Sequence, residues 1–305
     1  MEALILLPQT LILLFMMLCG YGAFKKGWMD AAGWKTMNTV VVNVMNPFLM
    51  FSIISSYGSA ESPQLLLQNL ALVVIYYAMV IVITIVYAKV RRLQGTKKNL
   101  DKLLLTFGNV GFMGVPLVRA LYGDASVFYL LFYIVAFNVL GYTYGVFLAS
   151  PGKTAFDPKQ LLNVGFVSSV IAIAVYFLGI PIPAPMQSFF NYMGNAVVPV
   201  SMMVIGGSLA QQDLREVFRD KENYIVSAGK LLLIPAAGIP LSRILPFDEK
   251  LLGIFVLICA MPIASISGML AEVYGHAGRE CGGKIAMSTI LSVITIPVVF
   301  ALWMG

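Results

Sequence analysis

The residues best suited to chemistry in this chain lie in two short segments that interrupt apolar stretches. The first, FGNVGFMGVPL at 107–117, combines the amide of Asn109 with three glycines and a proline. The second contains Pro262, followed by the hydroxyls of Ser265 and Ser267. In a helix interior, proline costs about 3 kcal/mol and glycine about 1 kcal/mol relative to alanine. These segments therefore predict polar side chains beside freed backbone groups, which suits ligand binding.

The elements that position these residues are almost entirely apolar. Of 305 residues, 59% are hydrophobic and 11% are charged, whereas a soluble domain carries about 25% charged residues. Most uncharged runs reach the roughly 17–25 residues that cross a bilayer, which predicts an all-α polytopic membrane protein with ten spans. The runs are Ala3–Phe24, Thr36–Ala60, Ser62–Ala88, Leu103–Val118, Ala125–Gly152, Gln160–Gln212 (two spans divided at GIPIPAP), Asn223–Leu245, Leu251–Ala271 and Ile285–Gly305.

The positive charges predict the orientation of these spans. With ten spans, 16 of the 20 lysines and arginines fall on one face, Arg119, Arg243 and Lys250 fall on the other, and Lys230 lies within a span. Basic loops remain in the cytoplasm, so we expect a multi-pass protein of the cell inner (cytoplasmic) membrane with both termini extracytoplasmic. The first apolar run exceeds the about 7–15 residues of a signal peptide and is expected to be retained. This placement of charge predicts contact with lipid and no nucleic-acid partner.

The chain also shows traces of an internal repeat. Asn43 and Asn195 each begin an Asn-x-x-x-Pro-x-x-Met segment, and the two asparagines are 152 residues apart. The same offset relates Gly27 to Gly179 and one Tyr-Gly pair to another. Five spans per half imply that the halves are inverted. We expect a first repeat at 1–149, a cytoplasmic linker at 150–159 and a second repeat at 160–305.

The interruptions lie at corresponding places in the two halves, in spans four and nine. In hydrocarbon, freed backbone groups are tolerated only where they are buried in protein or line a wet cavity. Half-helices that meet there present N-terminal ends to an anion and carbonyl ends to a cation. Structural kinks are the alternative, since proline and glycine are common in membrane helices. The predicted substrate-binding residues are Asn43, Asn46, Asn109, Val110, Gly111, Gly114, Pro116, Asn138, Asn195, Met261, Pro262, Ser265 and Ser267.

Ionisable and hydroxyl residues within the spans are candidates for ion coupling or gating. They are Lys230, Glu272, Ser288, Thr289 and Ser292. Lys230 has an alternative role, in which its long stem snorkels to the surface. The alternative role of Glu272 is that of an interface anchor. The alternative for the serine and threonine hydroxyls is a hydrogen bond to the backbone of their own helix. The sole histidine, His276, is expected in a solvated loop. The three cysteines predict neither a disulfide framework nor a metal site.

Several segments resemble the auxin efflux carrier family, the PIN-like transporters that include bacterial carboxylate permeases. They are GNVGFMGVPLVRALYG, NAVVPVSMMVIGGSLA, KLLLIPA and STILSVITIP, and the resemblance runs over nearly the whole chain. It implies a ten-helix, inverted five-plus-five fold similar to bile-acid sodium symporters, with broken helices 4 and 9 crossed. It further implies that spans 3–5 and 8–10 form a transport domain, which slides against a scaffold of spans 1, 2, 6 and 7, and that the protein forms a homodimer. The position matching Asn109 would bind the carboxylate of the substrate. Plant hormone carriers have a long loop where this chain has only Ser150–Lys159, which argues against auxin itself as the natural substrate.

The function predicted from these features is secondary active or facilitative transport of small organic anions by elevator-type alternating access. The substrate class is carboxylates, as auxin-like weak acids or as dicarboxylates. Coupling to H⁺, to Na⁺ or to neither stays open, and no cofactor or metal is expected. A sodium-coupled symporter of the bile-acid type and a non-transporting receptor are the alternatives. The lack of a Gly-x-x-x-x-Gly-Lys-Ser/Thr motif argues against an ATP-driven pump. The lack of a catalytic dyad or a His-containing metal site within a span argues against an intramembrane enzyme.

Overall fold

The computed structural model describes residues 2–55, 62–150, 162–275 and 278–305, without the side chains of 2–4, 275 and 278–279. His276 and the predicted linker beyond Ser150 lie outside the described residues. The regular secondary structure of the described residues is helical. The α-helices are α1 (Glu2–Lys25), α2 (Ala31–Val40), α3 (Asn46–Ser55), α4 (Pro63–Val90), α5 (Gly95–Thr106), α6 (Val115–Tyr122), α7 (Val127–Leu140), α8 (Val146–Ala149), α9 (Val164–Phe177), α10 (Ala184–Asn195), α11 (Val197–Ala210), α12 (Leu214–Arg219), α13 (Lys221–Ala228), α14 (Ile234–Ile244), α15 (Glu249–Cys259), α16 (Ser265–Gly275) and α17 (Gly278–Met304).

Three wider π-helical turns join successive helices into longer ones, and a fourth, Val110–Gly114, leads into α6. The π turns are Val41–Met45, Val110–Gly114, Gly141–Gly145 and Gly229–Leu233. Seven of the described helical segments are long and apolar enough to cross a membrane: Ile5–Lys25, Ala31–Ser55, Pro63–Val90, Asp124–Ala149, Ala184–Ala210, Lys221–Ile244 and Glu280–Met304. The chain is therefore a multi-pass membrane protein. Predicted spans four, six and nine contain shorter helices, because four and nine are interrupted and the helix of span six begins only at Val164.

Two glycines allow α1 and α11 to approach at backbone distance. A Cβ atom on Gly20 would overlap the backbone of Met203, and one on Gly206 would overlap the carbonyl of Met17. Small residues at such positions let helix backbones pack closely in a membrane protein. This contact ties the first helix of the chain to the helix that follows α10.

The interruptions of predicted spans four and nine lie directly against each other. Between α5 and the π turn the chain is extended through residues 107–109, and between α15 and α16 it is non-helical through 260–264. The N–H of Asn109 donates to the carbonyl of Pro262 at 2.8 Å, and the N–H of Ala264 donates to the carbonyl of Phe107 at 3.0 Å. Gly108 and Ile263 form an antiparallel bridge between these bonds. Each interruption thus satisfies backbone groups of the other, as burial in an apolar environment requires.

The two prolines of these spans occupy different positions. Pro262 lies in the interruption of span nine, but Pro116 lies in the first turn of α6. The expectation that Pro116 helps to break its helix at mid-span is therefore wrong. The interruption of span four falls at Gly108 and Asn109 instead, and the ring of Pro116 follows a π turn, where the helical bonding pattern already changes.

Candidate functional site

A cavity lies beside the paired interruptions and encloses about 900 Å³ of empty space, open mouth included. Six asparagines line it, from four different parts of the chain: Asn38, Asn43, Asn46, Asn109, Asn138 and Asn163. Apolar and aromatic side chains make up most of the rest: Val42, Val110, Phe112, Ile134, Phe137, Tyr142, Val164, Ile266 and Met269. No charged side chain is among the described residues of the lining. The polar groups of the lining are therefore amides, hydroxyls and backbone groups between apolar walls.

Three helix beginnings face this cavity. The π turn that leads into α6 begins at Val110, α16 begins at Ser265 and α9 begins at Val164, and all three residues line the cavity. The first N–H groups of a helix have no partner within the helix, and that end carries a partial positive charge. Together these ends create a positive potential without a charged side chain, which favours an anionic ligand.

Asn109 has the features of a ligand-binding side chain. It is 6% exposed and lies in the interruption itself, in a backbone conformation that is neither helical nor extended. Its backbone N–H donates to the carbonyl of Pro262, whereas its side-chain amide has no hydrogen-bond partner within the described part of the chain. A buried amide normally has a partner. The amide of Asn109 is thus available for a molecule that enters the cavity.

Lys230 lies on the other side of the same interruption. It is fully buried in the π turn between α13 and α14, and its Nζ donates to the carbonyl of Leu105 at 2.9 Å. A Cβ atom on Gly108 would lie 3.3 Å from this Nζ, so the ammonium group is close to the backbone of Gly108, which lines the cavity. The snorkelling alternative requires the side chain to reach the surface, and it does not. Its charge lies at the carbonyl end of α5, where a helix favours a cation.

A second buried charge was missed by the sequence analysis. Nζ of Lys284 lies 2.7 Å from Oδ1 of Asp101, and the side chains are 6% and 0% exposed. Lys284 was expected among the 16 basic residues of one face, and burial of Asp101 was not predicted. Both are buried, because α5 and α17 begin several residues before these positions. Glu272 itself is exposed on α16.

The structure separates the predicted substrate-binding residues into two groups. Those that line the cavity are Asn43, Asn46, Asn109, Val110, Gly111, Asn138 and Ser265. Of the remainder, Met261 and Pro262 are buried in the interruption of span nine, and Gly114 packs on Leu130. Pro116 and Ser267 are buried away from the cavity lining. Asn195 is exposed and accepts a bond from Arg119 at 3.4 Å.

The hydroxyl candidates in α17 do not line the cavity. Thr289 and Ser292 donate to carbonyls of their own helix, Ile285 and Thr289 respectively. Ser288 does the same, but its oxygen also accepts the N–H of Ile263 at 3.2 Å. Ser288 therefore supports the interruption of span nine from behind and is not placed to contact a ligand in the cavity.

Asn38, Asn163 and Tyr142 line the cavity but were not predicted. Asn38 lies on α2, Asn163 caps the start of α9 and Tyr142 lies in the π turn after α7. They lie outside the helix-breaking segments and belong to other helices. The sequence feature that could have indicated the two asparagines is the occurrence of isolated amides in apolar segments.

Comparison with known proteins shows that this chain is similar to membrane transporters. A profile described as "Membrane transport protein" matches residues 5–161 and 153–300. An "Uncharacterized transporter" of Methanocaldococcus jannaschii is 24% identical over 311 residues, which cover 98% of each chain. A "Putative malonate transporter" of Rhizobium meliloti is 24% identical over 88% of this chain and 85% of that protein. "Protein PIN-LIKES 2" of Arabidopsis thaliana is 26% identical over 35% of this chain and 25% of its own length.

Proposed function

The chain belongs to the membrane transport protein family, the auxin efflux carrier family, and we propose that it carries small organic anions with a carboxylate group across the membrane. The observation that carries this proposal is the free, buried amide of Asn109 in a cavity faced by helix N-termini. An amide N–H₂ and backbone N–H groups are donors, and a carboxylate is an acceptor with two oxygens. These donors would bind the carboxylate although no charged side chain is among the described residues of the lining.

The composition of the cavity wall supports an organic anion over an inorganic one. Apolar side chains such as Ile134, Phe137 and Met269 are favourable neighbours for the carbon skeleton of the substrate. Ligand sites typically combine such walls with a few polar groups that fix orientation. One relative is named for malonate transport, so malonate and other short carboxylates are the first candidate substrates, together with auxin-like weak acids.

An inverted repeat of five plus five spans is part of the proposal. Shifted by 152 residues, the ends of the α15–α16 pair, Glu249 and Gly275, correspond to Lys97 and Gly123. These positions fall at the ends of the α5–α6 pair, within two residues. Gly27 and Gly179, at the same offset, both have positive φ, 73° and 61°. Equivalent broken helices in two inverted halves are typical of secondary transporters that bind substrate between them.

The proposed movement is an elevator. The transport domain consists of spans 3–5 and 8–10 and carries both interruptions, and the scaffold of spans 1, 2, 6 and 7 forms the homodimer. In this division Asn43 and Asn46 belong to the scaffold and Asn109 and Ser265 to the transport domain, and all four line the cavity. A substrate at this boundary is released on either side when one domain moves past the other. Basic residues at the cytoplasmic face hold both termini outside.

The source of energy for transport is H⁺, Na⁺ or the substrate gradient alone. Lys230 is the coupling or gating candidate closest to the interruption, because its ammonium group binds the last turn of α5. Ser288 is a supporting residue of the interruption of span nine. A dependence of uptake on external sodium would favour the sodium-coupled alternative.

The experiment is uptake of radiolabelled carboxylates into proteoliposomes that contain the purified protein. The panel includes malonate, succinate, propionate and indole acetate, each with and without sodium and a pH gradient. We expect uptake of at least one of these anions above that of protein-free vesicles. If every anion binds the purified protein but none enters, the receptor alternative holds. If none binds, transport of small organic anions is contradicted.

A further inference from the structure

We infer a second anion subsite in the cavity, formed by the N-terminus of α9 and the amide of Asn138, which selects substrates with two carboxylates. This inference rests on the proposed transport of organic anions and specifies their class. The first subsite is the one at the interruptions, where Asn109 and Ser265 lie. The second lies on helices that carry neither interruption.

The beginning of α9 faces the cavity with three consecutive residues, Asn163, Val164 and Gly165. The helix has 14 residues, enough for a developed dipole at its positive end. The side-chain oxygen of Asn163 accepts the N–H of Phe166 at 2.9 Å and so caps the helix. The cap leaves other N–H groups of the first turn for a ligand or water.

Asn138 provides the independent evidence for a ligand at this place. It is 8% exposed, lines the cavity from α7, and its amide has no hydrogen-bond partner in the described ranges of the chain. A Cβ atom on Gly165 would lie 3.5 Å from Oδ1 of Asn138 and 3.6 Å from Nδ2. The unpartnered amide is therefore next to the first turn of α9. An anion there satisfies both the amide donor and the helix end.

The two subsites differ in the elements that carry them. Asn109 and Ser265 belong to the interrupted helices, whereas Asn138 is on α7 and Asn163 is on α9. Both subsites face one cavity with apolar side chains such as Ile134 and Phe137 in its wall. A substrate with one carboxylate fills one subsite and leaves a buried amide unpaired, which is unfavourable. A short dicarboxylate places one group at each.

The test compares ligands with one and two carboxylates of matched length on three purified variants. The ligands are malonate, succinate and glutarate, paired with propionate, butyrate and pentanoate, and dissociation constants are measured by titration calorimetry. Asn163→Asp keeps a helix cap of equal quality but adds a negative charge at the subsite. Asn163→Ser keeps a cap without the charge and is the matched control. Asn138→Leu removes the amide and retains the side-chain size.

In the wild-type protein we expect the best dicarboxylate to bind more tightly than its monocarboxylate partner. Asn163→Asp should then weaken binding of the dicarboxylate by about tenfold or more, equivalent to ~1.4 kcal/mol, with a smaller effect on binding of the monocarboxylate. Asn138→Leu should act in the same direction, and Asn163→Ser, which adds no charge, should lose less affinity for the dicarboxylate than Asn163→Asp does. Thermal unfolding of each variant verifies that it is folded.

Two results would overturn the second subsite while the proposed function stands. One is a wild-type protein that binds dicarboxylates no more tightly than monocarboxylates. The other is an equal loss for both ligand classes in Asn138→Leu, which also decides the matter if Asn163→Asp does not fold. If no carboxylate of either class binds the wild-type protein, the proposed function itself fails.

Discussion

Lys230 is a buried residue that lies next to the proposed binding site. Its ammonium group is fully buried, and within the described ranges it donates one hydrogen bond, to the carbonyl of Leu105, the penultimate residue of α5. Ionisable residues inside a membrane protein are unfavourable for stability and are usually kept for function. We therefore expect the charge to stabilise the bound anion across the backbone of Gly108 and to hold the carbonyl end of α5.

The first prediction is that Lys230→Met reduces transport by about tenfold or more, equivalent to ~1.4 kcal/mol, without loss of thermal stability. Methionine fills similar space and removes a buried charge that has one neutral partner. Uptake into proteoliposomes and thermal unfolding are the two measurements. Lys89→Met, at an exposed lysine near the end of α4, is the control. Wild-type uptake by Lys230→Met would show that this charge has no role in transport.

The second prediction concerns the buried pair of Asp101 and Lys284. Asp101→Asn leaves the ammonium group of Lys284 without its counter-charge, and breaking a buried pair in this way typically costs about 3–5 kcal/mol. We expect a large fall in the thermal unfolding midpoint of Asp101→Asn. The double variant Asp101→Asn, Lys284→Met should recover most of it, because no unpaired charge remains. A double variant that is no more stable than Asp101→Asn would show that the pair is not the cause.

At the scale of elements, the two interruptions stabilise each other through backbone bonds. Helix-breaking residues were predicted in both spans, with Pro116 expected to contribute to the first break beside the glycines and Pro262 to the second. Pro262 does lie in its interruption, and its carbonyl accepts the N–H of Asn109. Pro116 lies in α6, beyond the interruption of its span. The difference arises because Gly108 and Asn109 interrupt the span before Pro116 is reached. The position of the partner segment at 260–264 cannot be read from the residues around Pro116.

The third prediction follows from this difference. Pro262→Ala permits α15 to extend into the interruption and should lower transport by about tenfold or more, ~1.4 kcal/mol. Pro116→Ala restores an N–H at a place that is already helical, so transport and stability should change little. Uptake and thermal unfolding of both variants are compared in the same lipid. Equal losses of uptake in the two variants would contradict the assignment of the break to Pro262 and Gly108.

At the scale of the whole molecule, composition was sufficient to predict a helical, multi-pass membrane protein, and the structure confirms that. The cavity was predicted only in part. Asn43, Asn109 and Asn138 were expected to line it, whereas Asn38 and Asn163 were not. The reason is that a cavity wall combines residues from distant helices, and their packing cannot be derived from one segment at a time. The inverted repeat and the orientation of the termini stay predictions.

The fourth prediction tests that orientation. Single cysteines at Lys97, before the interrupted span four, and at Ala184, at the start of α10, should react with an impermeant thiol reagent from opposite sides of the membrane. Cys19 is exposed and is first replaced by serine, whereas Cys259 and Cys281 are buried. Lys97 should react only from the cytoplasmic side. Labelling of both positions from one side would contradict the ten-span topology.

The most direct test of the central claim is the affinity of the Asn109→Ala variant for the carboxylate that binds the wild-type protein best. The claim is that the free amide at the paired interruptions holds the carboxylate of the substrate. Titration calorimetry on the purified, folded variant should show binding weakened by about tenfold or more, ~1.4 kcal/mol. Asn195→Ala, at the exposed asparagine that lies outside the cavity lining, should bind like wild type. An unchanged dissociation constant for folded Asn109→Ala would contradict the account.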